Sequence, residues 1–332
     1  MTPLFGHDAA VAAFREGLDA GRLHHAWLIS GPEGLGKALF ADKAATRVLA
    51  QAAGPPVDAP GLDVPDDHPI ARLVEAGSHP DLMRLERLPR ENGGGELARS
   101  IRIDQIRGLH RLFDMRPSLS ERRVVVIDSA DDLEGEGATN ALLKMLEEPP
   151  AHAVFFLVSH RPESLKATIR SRCRSMRLKP LGDDAMTSAL RAALPGASEA
   201  ELRALAAAGQ GSPGRAIAFR GLDIGALDRA MRDLAATGDP ANARRSELAA
   251  ALCLKSAQAR YEAFLARAPS FIAAAARGRS GRPLAEALGL YERAADLAAG
   301  ATRLSLDPQS VVFELSGMIA ALARPAGVTA RR

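Results

Sequence analysis

The sequence has little cysteine, few aromatic residues and no long apolar run. Its 332 residues include only two cysteines, Cys173 and Cys253, which cannot build a disulfide framework or a four-cysteine zinc site. Aromatic residues are 4% of the chain, so its hydrophobic 47% is mainly Ala, Leu and Val, which favours helices packed through small side chains. No apolar run reaches the roughly 18–20 residues of a membrane span.

The N-terminus and the charge balance narrow the class of protein further. Residues 1–8 lack the basic-then-apolar order of a signal peptide, which predicts a cytoplasmic protein with no membrane contact. The 43 basic and 40 acidic residues leave a net charge of +3, and the basic residues are 37 arginines and six lysines. Genome composition explains this arginine excess as well as nucleic-acid binding does. At roughly 100–200 residues per domain, the length predicts two or three domains.

Three short apolar runs predict buried β-strands, at residues 26–30, 123–128 and 154–159. Helical patterns alternate with these runs, at residues 8–23, 37–50, 101–115 and 139–148. Because each strand is apolar throughout, the alternation predicts a parallel sheet covered on both faces.

The remaining segments show no comparable strand pattern. Residues 51–69 are rich in Pro, Gly and Asp and predict an irregular insertion, while residues 92–95 predict a flexible tip. Beyond Pro180 the chain is Ala- and Leu-rich and helical. We therefore predict an α/β domain, then a small helical domain, then a helical C-terminal domain.

A glycine-rich turn between the first strand and the next helix fits the phosphate-binding pattern G-x-x-x-x-G-K. Gly31, Gly34 and Gly36 allow backbone N–H groups to point at a phosphate, and Lys37 adds a positive charge. The alternative interpretation is a glycine-rich turn that happens to end in lysine. The strand–turn–helix context favours the phosphate-binding loop.

Two residues needed for hydrolysis are missing from this pattern. Ala38 stands where Ser or Thr ligates Mg²⁺, and a methyl group cannot ligate a metal. Asp128 ends the second apolar strand as a metal-anchoring carboxylate would, although it could also be an acid that caps a turn. Ser129 follows it where ATPases carry the glutamate that orients the attacking water. The pattern predicts a nucleotide site without intrinsic hydrolysis.

Other side chains that could carry chemistry have simpler interpretations beside the functional ones. Three arginines within residues 170–174, near a predicted helix start, form either a solvated basic face or an arginine finger at Arg172. Cys173 is interpreted as a small buried residue. The Arg215 side chain either reaches a nucleotide or lies on the surface after a turn. His24-His25 and His79-Pro80-Asp81 are expected to cap helices or hydrogen-bond loops and not to bind a metal.

The segments at residues 31–37, 124–128, 140–150 and 171–173 together resemble one family. They are similar to those of the delta-prime subunits of bacterial DNA polymerase III clamp loaders, which are AAA+ relatives. The run Ala-Leu-Leu-Lys-x-Leu-Glu-Glu-Pro-Pro, followed by Ser-Arg-Cys, is the most specific part. The resemblance is firm over residues 4–180.

The resemblance implies an AAA+ P-loop domain at residues 1–179, a helical lid domain at 180–222 and a helical collar domain at 223–332. It implies tau/gamma and delta subunits as partners in a hetero-oligomer, and the sliding clamp and primed DNA through that complex, as part of the DNA polymerase III holoenzyme. In such assemblies the tau/gamma subunits hydrolyse ATP. The delta-prime subunit supplies the arginine of Ser-Arg-Cys, which is Arg172 here, to the nucleotide of its neighbour.

Departures from the family pattern refine this prediction. Hydrolysing members have Lys-Ser/Thr and Asp-Glu where this chain has Lys37-Ala38 and Asp128-Ser129, so a non-hydrolysing subunit is expected, with weak ATP binding left open. Many members carry a four-cysteine zinc module, but residues 51–100 contain no cysteine, so no zinc is expected. Gly214 occupies the usual position of a second-domain arginine, so whether Arg215 senses a nucleotide stays open.

Two alternatives remain at the level of the sequence. The chain could be a competent ATPase with an altered metal site, in which Asp131 or Asp132 replaces the missing glutamate. It could also be a clamp-loader-like protein whose collar binds a different partner.

Overall fold

The computed structural model describes residues 2–90, 97–114 and 116–323. The predicted tip at residues 92–95 lies outside these ranges. The chain divides into two compact units between Ile217 and Ala218. We call residues up to 217 the first unit and the rest the second unit.

The first unit is built on a five-stranded parallel sheet with the order β2-β3-β4-β1-β5. The strands are β1 (Ala26–Ser30), β2 (Leu82–Glu86), β3 (Arg123–Asp128), β4 (Ala153–Ser159) and β5 (Arg174–Arg177). The three central strands are almost wholly buried, as their apolar runs predict.

Helices cover both faces of this sheet: α1 (Asp8–Asp19), α2 (Lys37–Ala52), α3 (Pro69–Glu75), α4 (Ile103–Asp114), α5 (Gly135–Glu147) and α6 (Ala167–Arg172). Three further helices follow the sheet in the chain: α7 (Asp183–Ala193), α8 (Glu199–Gly209) and α9 (Pro213–Ala218). Neighbouring residues of a strand face opposite sides, so Phe156 packs with Phe14 and Trp27 in one core while Phe155 packs in the other. The first unit therefore has two cores separated by the sheet.

The second unit is helical throughout its described part. Its helices are α10 (Ile224–Thr237), α11 (Ala243–Leu252), α12 (Gln258–Ala276), α13 (Gly281–Arg303) and α14 (Pro308–Ala320). Helix α14 contacts the other four helices and buries Val312, Leu315 and Ile319 at helical spacing. It is the central helix of this unit. None of the described helices is long and apolar enough to cross a bilayer.

The predicted fold class, α/β followed by all-α, is confirmed, but strands β2 and β5 and helices α3 and α6 were not predicted. Strands β2 and β5 lie at the edges of the sheet and bury only Leu85 and Met176, respectively. An edge strand has one neighbour and little apolar contact, so its sequence lacks the continuous hydrophobic run. Helices α3 and α6 are short, with seven and six residues, and the periodicity of such segments is weak.

The irregular insertion is confirmed between α2 and α3, where a buried arginine holds it. Arg47 is 2% exposed, and its Nη1 donates hydrogen bonds to the carbonyl oxygens of Ala59 (3.1 Å) and Asp63 (2.8 Å). Its Nη2 donates to the carbonyl of Val57 at 3.2 Å. A segment rich in Pro and Gly makes few backbone hydrogen bonds of its own, so one guanidinium satisfies three of its carbonyls.

We predict that Arg47→Met lowers the free energy of unfolding of the first unit by about 2–4 kcal/mol, because three carbonyls lose charge-assisted hydrogen bonds. The measurement is urea unfolding followed by the fluorescence of Trp27, the one tryptophan of the sequence, which lies in the same core as α2.

The matched control is Arg22→Met, because Arg22 is exposed. This change should alter the stability by less than about 0.5 kcal/mol. Equal midpoints for the two variants would show that the Arg47 hydrogen bonds contribute nothing to stability.

Candidate functional site

The glycine-rich turn connects β1 to α2 as predicted. Gly34 (φ 77°) and Gly36 (φ 85°) adopt the left-handed conformation, and Gly36 is the N-cap of α2. A Cβ atom on Gly34 would lie 2.5 Å from Ser212 Oγ, so a larger residue would collide there. Gly31 starts the turn beside the carbonyl of Leu178. Glycine is required in this turn for the left-handed backbone conformation and for the close approach of Ser212.

The turn presents free hydrogen-bond donors at the start of a helix. Within the described part of the chain, the backbone N–H groups of residues 33–36 have no hydrogen-bond partner. The N-terminus of α2 adds the positive end of the helix dipole. Together these features form an anion-binding concavity of the kind that holds a phosphate group.

Residues 212–214, at the start of α9, close the outer side of this turn. The N–H of Gly214 donates to the carbonyl of Gly34 at 2.9 Å, and Ser212 Oγ donates to the carbonyl of Glu33 at 2.8 Å. This contact could not be predicted from the sequence, since about 180 residues separate the two segments. The contact satisfies the turn's carbonyls and leaves its N–H groups for a ligand.

Lys37 is buried against the turn. The residue is only 3% exposed, and its Nζ donates a hydrogen bond to the carbonyl of Pro32 at 2.7 Å. Burial lowers the pKa of Lys37 to about 8, against the opposing effect of the negative charges of Glu33 and Asp128. At neutral pH the group is charged and able to attract an anion.

A cavity of about 700 Å³ opens beside the turn. The predicted site residues Gly34, Gly36, Lys37 and Asp128 all line it, whereas Gly31 does not. Its apolar wall includes Leu4, Phe5, Leu181, Ala189, Pro213 and Ile217. An apolar cavity next to a phosphate-binding turn has the form of a nucleotide pocket.

The site fits a phosphate group but does not fit a catalytic Mg²⁺ ion. Ala38 presents a methyl group to the cavity where the metal needs a hydroxyl ligand. Ser129 is buried and directs its hydroxyl to Asp131 at 3.1 Å. In the described ranges, no group of three or more His, Cys, Asp or Glu side chains is placed to hold a metal ion.

The two acids that follow Ser129 are already engaged. Asp131 accepts hydrogen bonds from Ser159 Oγ at 2.7 Å, from Ser129 Oγ and from the backbone N–H of His160. Asp132 pairs with Arg87 Nε at 3.2 Å. Asp131 thus ties the end of β3 to the end of β4.

His160 was missed by the sequence analysis and lines the cavity. Burial and the neighbouring Lys37 charge lower its pKa. Its position directly after β4 was the available signal, because the carboxyl ends of parallel strands meet at one edge of a sheet.

Arg172 lies at the end of α6, not near a helix start as predicted, and it does not line the cavity. Its Nη2 forms an ion pair with Glu147 Oε1 at 2.6 Å, and its Nη1 donates to the carbonyl of Thr168 at 3.0 Å. The neighbouring arginines point elsewhere. Arg170 donates to the carbonyl of Pro162, and Arg174 lies over the ring of Trp27.

Cys173 has no reactive character. It is half-buried and free, and burial raises the pKa of its thiol to about 12, so it is not a nucleophile at neutral pH.

The predicted hydrogen-bonding role of the His79-Pro80-Asp81 motif is confirmed. Asp81 accepts hydrogen bonds from the backbone N–H groups of Ser118, Leu119 and Ser120, and His79 Nδ1 accepts one from the Asp81 N–H. The motif therefore fastens the segment that leads into β3.

The fold and the site are typical of P-loop proteins. The shared features are a glycine-rich turn between β1 and α2, an acid at the end of β3 and an apolar pocket. The family model described as "DNA polymerase III, delta subunit" matches residues 6–182. This match covers more than half of the chain, which therefore belongs to the DNA polymerase III delta-subunit family. The family resemblance inferred from the motifs is confirmed.

Individual relatives agree with this assignment. The chain is 36% identical over 189 residues to DNA polymerase III subunit delta' of Pseudomonas aeruginosa. These aligned residues are 57% of this chain and 53% of the relative. The chain is 34% identical over 206 residues to subunit delta' of Escherichia coli K12 (60% and 55%) and 32% identical over 176 residues to subunit tau of that organism (53% and 25%). The chain spans about half the length of the delta' relatives.

We predict that Lys37→Met stabilises the first unit at pH 7 by about 1–3 kcal/mol, because it removes a buried charge. The pKa of Lys37 falls from 10.5 to about 8 on folding, so the unfolded chain binds more protons between these values. Wild-type stability should therefore rise from about pH 8 to 10.5, and the advantage of the variant should shrink over the same range.

The measurement is urea unfolding by Trp27 fluorescence at several pH values. The control is Lys144→Met at an exposed lysine of α5, which should leave the pH dependence unchanged. Parallel pH curves for wild type and Lys37→Met would contradict the prediction.

Proposed function

We propose that this chain is a non-hydrolysing, delta-prime-type subunit of a bacterial DNA polymerase III clamp loader. It supplies Arg172 as an arginine finger to the ATP site of a neighbouring tau/gamma subunit. With the tau/gamma and delta subunits it helps to load the sliding clamp on primed DNA. Family membership and the similarity to delta' and tau subunits support this proposal.

The proposal depends on one observation: Arg172 lies apart from the cavity beside the glycine-rich turn. Arg172 is 35% exposed at the end of α6 and does not line the chain's own cavity. A guanidinium placed there is available to a phosphate of another molecule. An arginine finger stabilises charge on the transferring phosphoryl group and accelerates hydrolysis roughly 10³–10⁵-fold.

The chain's own nucleotide site supports the non-hydrolysing part of the proposal. Ala38 removes the metal-ligating hydroxyl, and Ser129 replaces the acid that would orient water. The hydrogen bonds of Asp131 and the ion pair of Asp132 argue against the rival in which either acid acts as that base. This chain would therefore not hydrolyse a nucleotide bound at the turn.

We also propose the division into domains that the family resemblance implies. Residues 1–179 and 180–222 act as the AAA+ domain and its lid, and residues 223–332 act as the collar that binds partner subunits. The hydrogen bonds of Ser212 and Gly214 to the P-loop support the lid assignment.

The test is ATP hydrolysis by tau/gamma and delta subunits reconstituted with this chain, the clamp and primed DNA. We expect Arg172→Ala to lower the turnover of the assembly at least about 100-fold, because the transition-state charge loses its guanidinium. The ion pair with Glu147 is partly exposed, so the stability of the chain itself should change by less than about 1 kcal/mol.

The isolated wild-type chain is the control and should not hydrolyse ATP. Unchanged turnover with Arg172→Ala would contradict the arginine-finger role. Hydrolysis by the isolated chain, abolished by Lys37→Ala, would instead favour the rival ATPase.

A further inference from the structure

Helix α5 ends with two glutamates in a place where helix stability does not call for them. Glu147 is its last residue and Glu148 its C-cap, followed by Pro149-Pro150. The C-terminal end of a helix carries partial negative charge, so acidic side chains there are unfavourable. At least one of these carboxylates is therefore expected to have another role.

Glu147 and Glu148 differ in what they contact. Glu147 Oε1 lies 2.6 Å from Arg172 Nη2, whereas the Glu148 side chain has no hydrogen bond or ion pair with any described residue. Both glutamates are exposed. The chain thus offers two adjacent carboxylates, one on the arginine and one in solvent.

The Arg172 side chain is held at two of its three nitrogens. Nη2 pairs with Glu147, and Nη1 donates to the carbonyl of Thr168 at 3.0 Å and lies 3.3 Å from Ser171 Oγ. Its Nε–H has no partner in the described part of the chain. A guanidinium has five N–H donors, so these contacts fix its orientation and leave other donors for a ligand.

A fixed orientation matters because a finger must reach a phosphate with small positional error. An arginine free in solvent loses about 2 kcal/mol of rotamer entropy when it is ordered, and a displacement of about 1 Å can cost about 100-fold in rate. Glu147 comes from α5 and Arg172 from α6, so their ion pair joins the finger to the body of the first unit.

We propose that Glu147 is a positioning residue that orients the Arg172 guanidinium for the nucleotide of a neighbouring subunit. This inference rests on the proposed function. The alternative, in which Glu147 sequesters Arg172, would require the arginine to break its contacts with Glu147, Thr168 and Ser171 before it could act. The open Nε edge favours positioning, because a phosphate can approach it without that rearrangement.

The test compares five variants in the reconstituted assembly by steady-state ATP hydrolysis. They are Glu147→Gln, Glu147→Asp, the matched control Glu148→Gln, Arg172→Ala and the double variant Glu147→Gln/Arg172→Ala. We expect Glu147→Gln to lower kcat about tenfold with KM for ATP unchanged, because the misplaced arginine acts on the transition state. Glu148→Gln, with the same change of charge one residue away, should have wild-type kcat.

Two further readouts separate positioning from a structural effect. Glu147→Asp keeps the carboxylate and should recover part of the kcat lost in Glu147→Gln. Glu147→Gln should cause no additional loss in the Arg172→Ala background, because residues that act through one another are not additive. Urea unfolding by Trp27 fluorescence should give the same midpoint for Glu147→Gln and Glu148→Gln.

The outcomes distinguish this inference from the proposed function. If Arg172→Ala lowers kcat but Glu147→Gln behaves like Glu148→Gln, the positioning role is wrong and the finger remains. A kcat above wild type in Glu147→Gln also overturns positioning and shows sequestration. If Arg172→Ala has no effect, the proposed function fails and this inference fails with it.

Discussion

Parallel pairing of β4 with both β1 and β3 is the constraint on which the candidate site depends. It brings the carboxyl ends of three strands to one edge of the sheet, where chains leave the sheet and side chains are free to meet a ligand. The phosphate-binding turn follows β1, Asp128 ends β3, and His160 follows β4. The hydrogen bonds of Asp131 fix the last two strand ends to each other.

The candidate site keeps groups that suit an anion and lacks two groups that nucleotide hydrolysis uses. Free N–H groups, a helix N-terminus and a buried lysine remain at residues 33–37. The hydroxyl that would ligate a metal is replaced by the methyl of Ala38. Arg172 lies outside the cavity, where it pairs with Glu147, so the groups suited to an anion and the arginine proposed to act on another molecule are spatially separate.

Much of the first unit could be predicted because its central strands are buried on both faces and therefore continuously apolar. The edge strands β2 and β5 could not be predicted, because each buries only one side chain and has the sequence pattern of a polar segment. The phosphate-binding turn was evident from its glycines, since the left-handed conformation at Gly34 and Gly36 restricts the residue type. Residues 212–214 carried no comparable local signal of their contact with that turn.

The sequence by itself determined the identity of the missing groups. Ala38 lacks a hydroxyl and Ser129 lacks a carboxylate in any conformation, so their consequences follow from covalent structure alone. Only the tertiary structure decided which groups meet. The pairing of Glu147 with Arg172 joins residues 25 positions apart on different helices, and its neighbour Glu148 remains in solvent. Two adjacent glutamates are chemically identical in the sequence, and the helix geometry that directs them to different sides makes only one of them a partner of the arginine.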